Sequence, residues 1–316
     1  MAKAFVFPGQ GSQTVGMGKA LAENFAPARD VFAEVDEALQ QRLSVLMFEG
    51  PEAELTLTAN AQPALMATSL AVLRVLEAEA GLDLVVDAAF VAGHSLGEYS
   101  ALAAAGSLSV TDAARLLRKR GEAMQQAVPV GAGAMAALIG LDLDGARAVA
   151  QAAANETGAV CAVANDNGGG QVVISGAKVA VDAAIEIAKG NGVRRAVPLA
   201  VSAPFHCPLM QPAAEAMAAA LSEVAIAPPK VPLVANVLAA PLTDPQDIRQ
   251  RLVEQVTGTV RWRECVVYMA AHGANVFIEL GAGKVLTGLL KRIVAEAQGF
   301  AIGTPDEITA YQSIPA

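Results

Sequence analysis

Apolar residues recur along this chain in two rhythms, and their alternation predicts a mixed α/β molecule. An apolar run ending at Val6-Phe7 breaks at Pro8-Gly9-Gln10-Gly11-Ser12-Gln13, so it reads as a strand entering a glycine-rich turn. Helical spacing follows over 15–22, 28–40 and 61–79, the last carrying Leu65, Leu70, Val72, Leu73 and Leu76. Ala88-Ala89-Phe90-Val91-Ala92 reads as a buried strand, and helices are expected over 96–105 and 111–127.

Around Pro129-Val130-Gly131 the pattern changes. Strands are expected at 135–140, 160–164, 171–175 and 194–201, with helices at 143–154 and 178–189. That order, β-α-β-β-α-β over about 70 residues, is the ferredoxin-like signature. It predicts an inserted small domain at 129–198, dividing a larger α/β domain into 1–128 and 199–316. The larger part resumes with a strand at 232–237, helices at 245–256 and 262–272, a strand at 275–280 and a helix at 284–296. From Gly303 onward no period is legible, so the tail is expected to be poorly ordered.

Composition sharpens this picture. Of 316 residues 54% are apolar but only 4% aromatic, so the core is aliphatic and alanine-rich, which suits helices packed closely on a sheet. A net charge of −9 argues against nucleic acid as a partner. Cys161, Cys207 and Cys265 are far apart and form no CxxC pair, which excludes a disulfide framework or a zinc site by spacing and suits a reducing cytoplasm. The N-terminal apolar run is too short for a signal peptide, and no stretch is long enough to cross a bilayer. A soluble cytoplasmic monomer without a metal is the expectation.

Candidate chemistry centres on Gly93-His94-Ser95-Leu96-Gly97, set between the strand at 88–92 and the helix that follows. Strand, G-x-S-x-G, helix is the nucleophile elbow of α/β-hydrolase-like sheets, and it predicts acyl transfer through a serine ester. The same five-residue pattern also arises by chance in glycine-rich loops. A serine needs a base, and the chain has three histidines. His94 abuts the nucleophile and is expected to support the turn. His272, in Ala271-His272-Gly273, reads as a helix-end histidine. His206, in Val201-Ser202-Ala203-Pro204-Phe205-His206, remains as the base, or else as a structural histidine beside two prolines. No carboxylate stands out as a third member, so a dyad oriented by a main-chain carbonyl is possible.

On the helix at 111–127, Arg120 falls within the apolar stripe of Ala113, Leu116, Leu117, Met124 and Ala127, while Arg115, Arg118, Lys119 and Glu122 face away. An inward guanidinium needs an anionic partner. That partner is either a buried Asp or Glu, or the carboxylate of a substrate held by two parallel hydrogen bonds. The N–H groups of Gln10 and of Leu96, the residue after the serine, are candidates for an oxyanion pair. Gly281-Ala282-Gly283-Lys284 lacks the spacing of a phosphate loop and reads as a strand-to-helix turn.

These residues, with Gln62-Pro63-Ala64, Glu98-Tyr99-Ser100-Ala101, Arg120-Gly121, Gly170-Gln171-Val172-Val173-Ile174-Ser175-Gly176 and Glu279-Leu280-Gly281, occur in an order that resembles the malonyl-CoA:acyl carrier protein transacylases of fatty acid synthesis. The resemblance runs across nearly the whole chain, and only the tail past about residue 300 carries no motif of it. It implies ping-pong transfer of malonyl from malonyl-CoA to the phosphopantetheine thiol of acyl carrier protein, with no permanently bound cofactor. It implies Ser95 as nucleophile, His206 as base, Gln10 and Leu96 as oxyanion hole, Arg120 on the malonyl carboxylate and the Gln255 carbonyl on the imidazole. Phe205, Asn165 and Gln62 would line the acyl pocket, Phe205 resembling the bulky residue of malonyl-selective relatives.

Docking of an acidic carrier on an acidic chain requires a local basic cluster. Arg115, Arg118 and Lys119, or Lys284, Lys291 and Arg292, are candidates, each otherwise an ordinary solvated face. The rival readings are an acyltransferase acting in trans on a polyketide synthase, the malonyltransferase subunit of a malonate decarboxylase, and a serine hydrolase.

Overall fold

In the computed structural model, which describes residues 2–315, the two rhythms separate into two sheets. The chain begins with β1 (Ala2–Phe7), α1 (Lys19–Asn24), α2 (Ala26–Leu39), α3 (Leu43–Glu49), α4 (Glu52–Leu55), α5 (Thr58–Glu79) and α6 (Leu84–Asp87). Then come β2 (Ala88–Gly93), α7 (Gly97–Ala104) and α8 (Val110–Ala127). A second group follows: β3 (Gly133–Ile139), α9 (Leu143–Thr157), β4 (Cys161–Asp166), β5 (Gln171–Ala177), α10 (Lys178–Lys189) and β6 (Arg195–Pro198). The remainder holds α11 (Gln211–Ser222), β7 (Leu233–Ala235), β8 (Ala240–Leu242), α12 (Pro245–Thr257), α13 (Trp262–Ala271), β9 (Ala274–Leu280), α14 (Val285–Ile293), β10 (Gln298–Ile302) and α15 (Pro305–Ala310).

The larger sheet has the order β10-β9-β1-β2-β7-β8, parallel throughout except for the β7–β8 hairpin. Parallel strands need crossovers, and helices cover both faces. Along β1, Phe5 and Phe7 enter one core with α2, α5, α7 and α8, while Ala4 and Val6 enter another with α13 and α14. Burial on both faces explains why β1 reads as a continuous apolar run rather than an alternation. Phe7 pairs with Gly93 at the ends of β1 and β2, so the loop carrying Gln10 and the elbow carrying Ser95 leave the same sheet edge side by side. The carboxyl edge of a parallel sheet is where such folds place their ligands.

The smaller sheet is antiparallel, in the order β4-β5-β3-β6, with its own core of α9 and α10 residues. This is the ferredoxin-like order. Met135, Ala137, Ala164 and Val173 of this sheet also enter the larger core, and backbone bonds join the two parts: Asp166 N–H donates to the Val260 carbonyl at 2.9 Å, and Val260 N–H donates to the Ala164 carbonyl at 2.8 Å. Beside them, Arg263 Nε donates to the Asp166 carboxylate at 2.8 Å.

Four expectations need correction. The first helix starts at Lys19, not near Val15, because Gly16 and Gly18 take φ of 94° and 77° and turn the chain first. The tail is ordered: Thr304 caps α15, and Ile308 and Tyr311 are buried, in a helix too short to display a period. The strand expected over 194–201 is shorter, Arg195–Pro198. In β2 only Val91, Ala92 and Gly93 are fully buried.

Gly121 sets the distance between α8 and α5. A Cβ there would lie 2.5 Å from Ala59 Cα and 2.6 Å from the Thr58 carbonyl oxygen, both backbone atoms that cannot swing aside. Gly121→Ala is therefore expected to push α8 outward, lowering stability by about 1–3 kcal/mol. Thermal unfolding checks the loss.

Candidate active site

The elbow is held by close backbone packing and one asparagine. A Cβ on Gly93 would lie 1.9 Å from the Gly97 carbonyl carbon, and one on Gly97 would lie 2.2 Å from the Phe7 carbonyl oxygen, so glycine is the residue that fits at both places. Ser95 sits between them at φ 55°, in the left-handed region that non-glycine residues avoid. Asn236, fully buried after β7, accepts from Ser95 N–H at 2.8 Å and donates its own amide to the Gly93 carbonyl at 2.7 Å. The backbone leading into the nucleophile is thereby fixed.

His206 also has a positive φ, 58°, and reaches over the elbow from the loop after β6. Its Nδ1 lies 2.8 Å from the Gln255 main-chain carbonyl, which can only accept. The proton is thus on Nδ1, and the Nε2 lone pair faces Ser95 Oγ at 2.8 Å. Burial, with Arg120 adding to it, pushes the His206 pKa down to about 3. The imidazole is neutral and able to accept a proton throughout the ordinary pH range.

Arg120 is 1% exposed and points to the same place. Nη2 donates to Ser95 Oγ at 3.0 Å and to Gln255 Oε1 at 2.9 Å, and Nη1 donates to Gln62 Oε1 at 2.9 Å. Among the described residues no carboxylate forms an ion pair with it. Of the two partners open to it from the sequence, the buried internal acid in direct contact is therefore absent. Its Nε has no hydrogen-bond partner. A guanidinium buried among neutral oxygens is prepared for an anion from outside.

Ser95, His206 and Arg120 open onto a hollow of about 280 Å³, also lined by Gln10, Gln62 and Asn165. Leu96 and Phe205 complete the wall near the serine. The main-chain N–H groups of Gln10 and Leu96 bond to no backbone acceptor among the described residues. All nine candidate residues thus converge: eight border the hollow, and Gln255 stands directly behind it. The geometry permits attack by Ser95 Oγ with proton transfer to His206, beside a fixed cation.

Neither of the other histidines bonds to Ser95 Oγ, although His94 also borders the hollow. His94 Nε2 contacts Asn167 Oδ1 at 2.9 Å, linking the elbow to the turn between β4 and β5. His272 caps α13, its Nδ1 2.8 Å from the Tyr268 carbonyl. Among the basic clusters, Lys284 pairs with Glu307 at 2.9 Å, and Arg118 is half-buried and held by Asn60 and Gln41 rather than solvated. Lys119 and Arg115 remain on the exposed face of α8.

Two residues of the site were not anticipated. Asn236 lay inside an expected strand, and no pattern marks a side chain that bonds backward to an elbow. Glu98 did have a signal: it is the one charged residue in the short α7, whose other members are apolar, small or aromatic.

Comparison with known proteins gives one consistent result. The family model described as the acyl transferase domain matches residues 4–309. A malonyl CoA-acyl carrier protein transacylase of Bacillus subtilis (strain 168) is 48% identical, over 96% of this chain and 94% of its own. The crystal structure of an acyl-carrier-protein-S-malonyltransferase from Bartonella henselae is 57% identical, with a TM-score of 0.96 and 99% of both chains covered. A type II PKS acyl-carrier protein in complex with its malonyl-transacylase matches at 41% identity and a TM-score of 0.95, covering 100% of both chains.

Proposed function

The chain belongs to the acyl transferase family, among the malonyl-CoA:acyl carrier protein transacylases, and from that premise we propose that it moves malonyl between two thiols through an ester on Ser95. Malonyl-CoA supplies the group and the phosphopantetheine thiol of acyl carrier protein receives it, feeding fatty acid elongation. Neither thiol carrier is a resident cofactor.

In the first half-reaction Ser95 Oγ attacks the thioester carbonyl and its proton passes to His206 Nε2. The Gln255 carbonyl, already paired with Nδ1–H, steadies the imidazolium. The oxyanion lies between the Gln10 and Leu96 N–H groups. Collapse breaks the C–S bond, and the departing sulfur takes the proton from Nε2. The second half runs in reverse, with the pantetheine thiol giving its proton to His206 as it attacks the ester. Arg120 grips the malonyl carboxylate throughout, with Gln62 bracing the guanidinium. Phe205 narrows the hollow around C2 of the acyl chain, and Asn165 lines the approach.

The observation that carries this reading is the position of Ser95 Oγ, 2.8 Å from a neutral imidazole nitrogen and 3.0 Å from a buried guanidinium that no carboxylate among the described residues touches directly. Incubation with malonyl-CoA alone is expected to add one malonyl group, located on Ser95 by intact mass and peptide mapping. No adduct, or an adduct elsewhere, would overturn it. The same experiment separates transfer from hydrolysis: a hydrolase would release free malonate steadily without a carrier thiol.

No helix among the described residues is long and apolar enough to cross a membrane. Three unpaired cysteines support placing the reaction in the cytoplasm.

A further inference from the structure

Glu98 is a buried carboxylate to which the Ser95–His206 chemistry gives no part. It stands in the first turn of α7, three residues after Ser95, and is 1% exposed. No ion pair engages it among the described residues. Oε2 accepts from Gln255 Nε2 at 2.7 Å and from Asn236 N–H at 3.1 Å. Gln255 presents its other amide atom, Oε1, to Arg120 Nη2. A single side-chain amide therefore separates the Glu98 carboxylate from the Arg120 guanidinium, and the hollow lies on the guanidinium's other side.

A second carboxylate entering that hollow changes the charge balance. Two carboxylates would then share one cation away from bulk water, and like charges in such a site do not both stay ionised. The malonyl carboxylate contacts the guanidinium directly through charge-assisted hydrogen bonds. Glu98 holds only two neutral donors, so it is the one to give way. We propose that Glu98 is the charge-compensating residue of the acyl site, taking a proton from water when a carboxylated acyl group settles on Arg120. With a neutral acyl group it keeps the charge it had. The inference rests on the seating of malonyl at Arg120 given above.

The surroundings suit the role. Burial pushes the Glu98 carboxyl up to about 7, against the opposing pull of Gln255, Asn236 and Arg120, so gaining a proton near neutrality costs little. The charged and titratable groups facing it are Arg120 from α8, Tyr99 on its own helix and Cys265 from α13. Strands β1, β2 and β7 and helices α5 and α12 add none. Burial pushes Tyr99 up to about 12 and raises Cys265, while His206 lies at about 3, so none of them changes charge between pH 6 and 9. Glu98 is ionised above pH 7 in the free protein, so malonyl binding must draw a proton there and weakens as pH rises.

Proton uptake on mixing with malonyl-CoA, read with an indicator dye in weak buffer at pH 7.5, tests this in the unaltered protein. Between about half and about three-quarters of a proton per malonylated chain is expected beyond the amount seen with acetyl-CoA, which corrects for the thiol released. In steady state, kcat/KM for malonyl-CoA is expected to fall by about five- to fiftyfold between pH 7 and pH 9, and Glu98→Gln to flatten that profile. Equal proton uptake with the two donors, or a profile that Glu98→Gln leaves unaltered, would overturn the proposal. Intact mass on the same samples keeps the readings apart. A Ser95 adduct without extra proton uptake removes the role of Glu98 alone, whereas a missing adduct removes the transfer mechanism beneath it.

Discussion

Alanine at Ser95 and alanine at His206 are expected to reduce carrier malonylation by about the same factor, roughly ten-thousand-fold, and the double variant to be scarcely worse than either. The reason lies in the single hydrogen bond that makes them a unit, Ser95 Oγ to His206 Nε2 at 2.8 Å. Without the hydroxyl the imidazole has no proton to accept. Without the imidazole the hydroxyl has nowhere to send its proton, since the other neighbour, Arg120 Nη2, is itself a donor. What survives comes from binding and from the N–H groups of Gln10 and Leu96. The measurement is the initial rate of malonyl transfer, with intact mass confirming that Ser95→Ala forms no adduct. Thermal unfolding serves as the control, because His206→Ala also leaves the buried Gln255 carbonyl without its donor. A double variant whose loss is the product of the two single losses would mean that the residues act independently.

The legibility of this site in the sequence follows from how local each signal is. The elbow is local: five residues between a strand and a helix, with glycines demanded by contacts of 1.9 Å and 2.2 Å that no other side chain survives. Arg120 is also readable, because an 18-residue helix fixes which face each residue takes, and a guanidinium within the apolar stripe must go inward. The small sheet is legible from the order of its elements alone. The partners that complete the site come from far along the chain. Gln255 reaches Ser95 across 160 residues and Asn236 across 141, and no spacing rule relates them. The main-chain carbonyl that orients His206 carries no residue identity at all; the resemblance, not the pattern, pointed to Gln255. Elements failed for related reasons. Helix α11 is rich in alanine and gives little contrast between its faces, and α15 spans only six residues.

Replacing Arg120 with alanine is expected to lower kcat/KM for malonyl-CoA by about a hundred- to a thousandfold, while transfer from acetyl-CoA changes far less. Loss of one partner from a buried charge pair costs about 2–5 kcal/mol, and each 1.4 kcal/mol is about tenfold. In the free protein the guanidinium is satisfied only by neutral oxygens, from Gln62, Gln255 and Ser95. A malonyl carboxylate converts those contacts into a charged pair, and an acetyl group does not. The discrimination thus resides in one contact, and removing it should collapse the ratio of the two donors rather than both rates equally. Arg120→Lys is the informative companion: it keeps a positive charge but loses the planar fork, so an intermediate ratio is expected. Because Nη2 also touches Ser95 Oγ, a modest fall in kcat with both donors is compatible with this account. An undiminished preference for malonyl in Arg120→Ala is not, and would move acyl selection to another wall of the hollow.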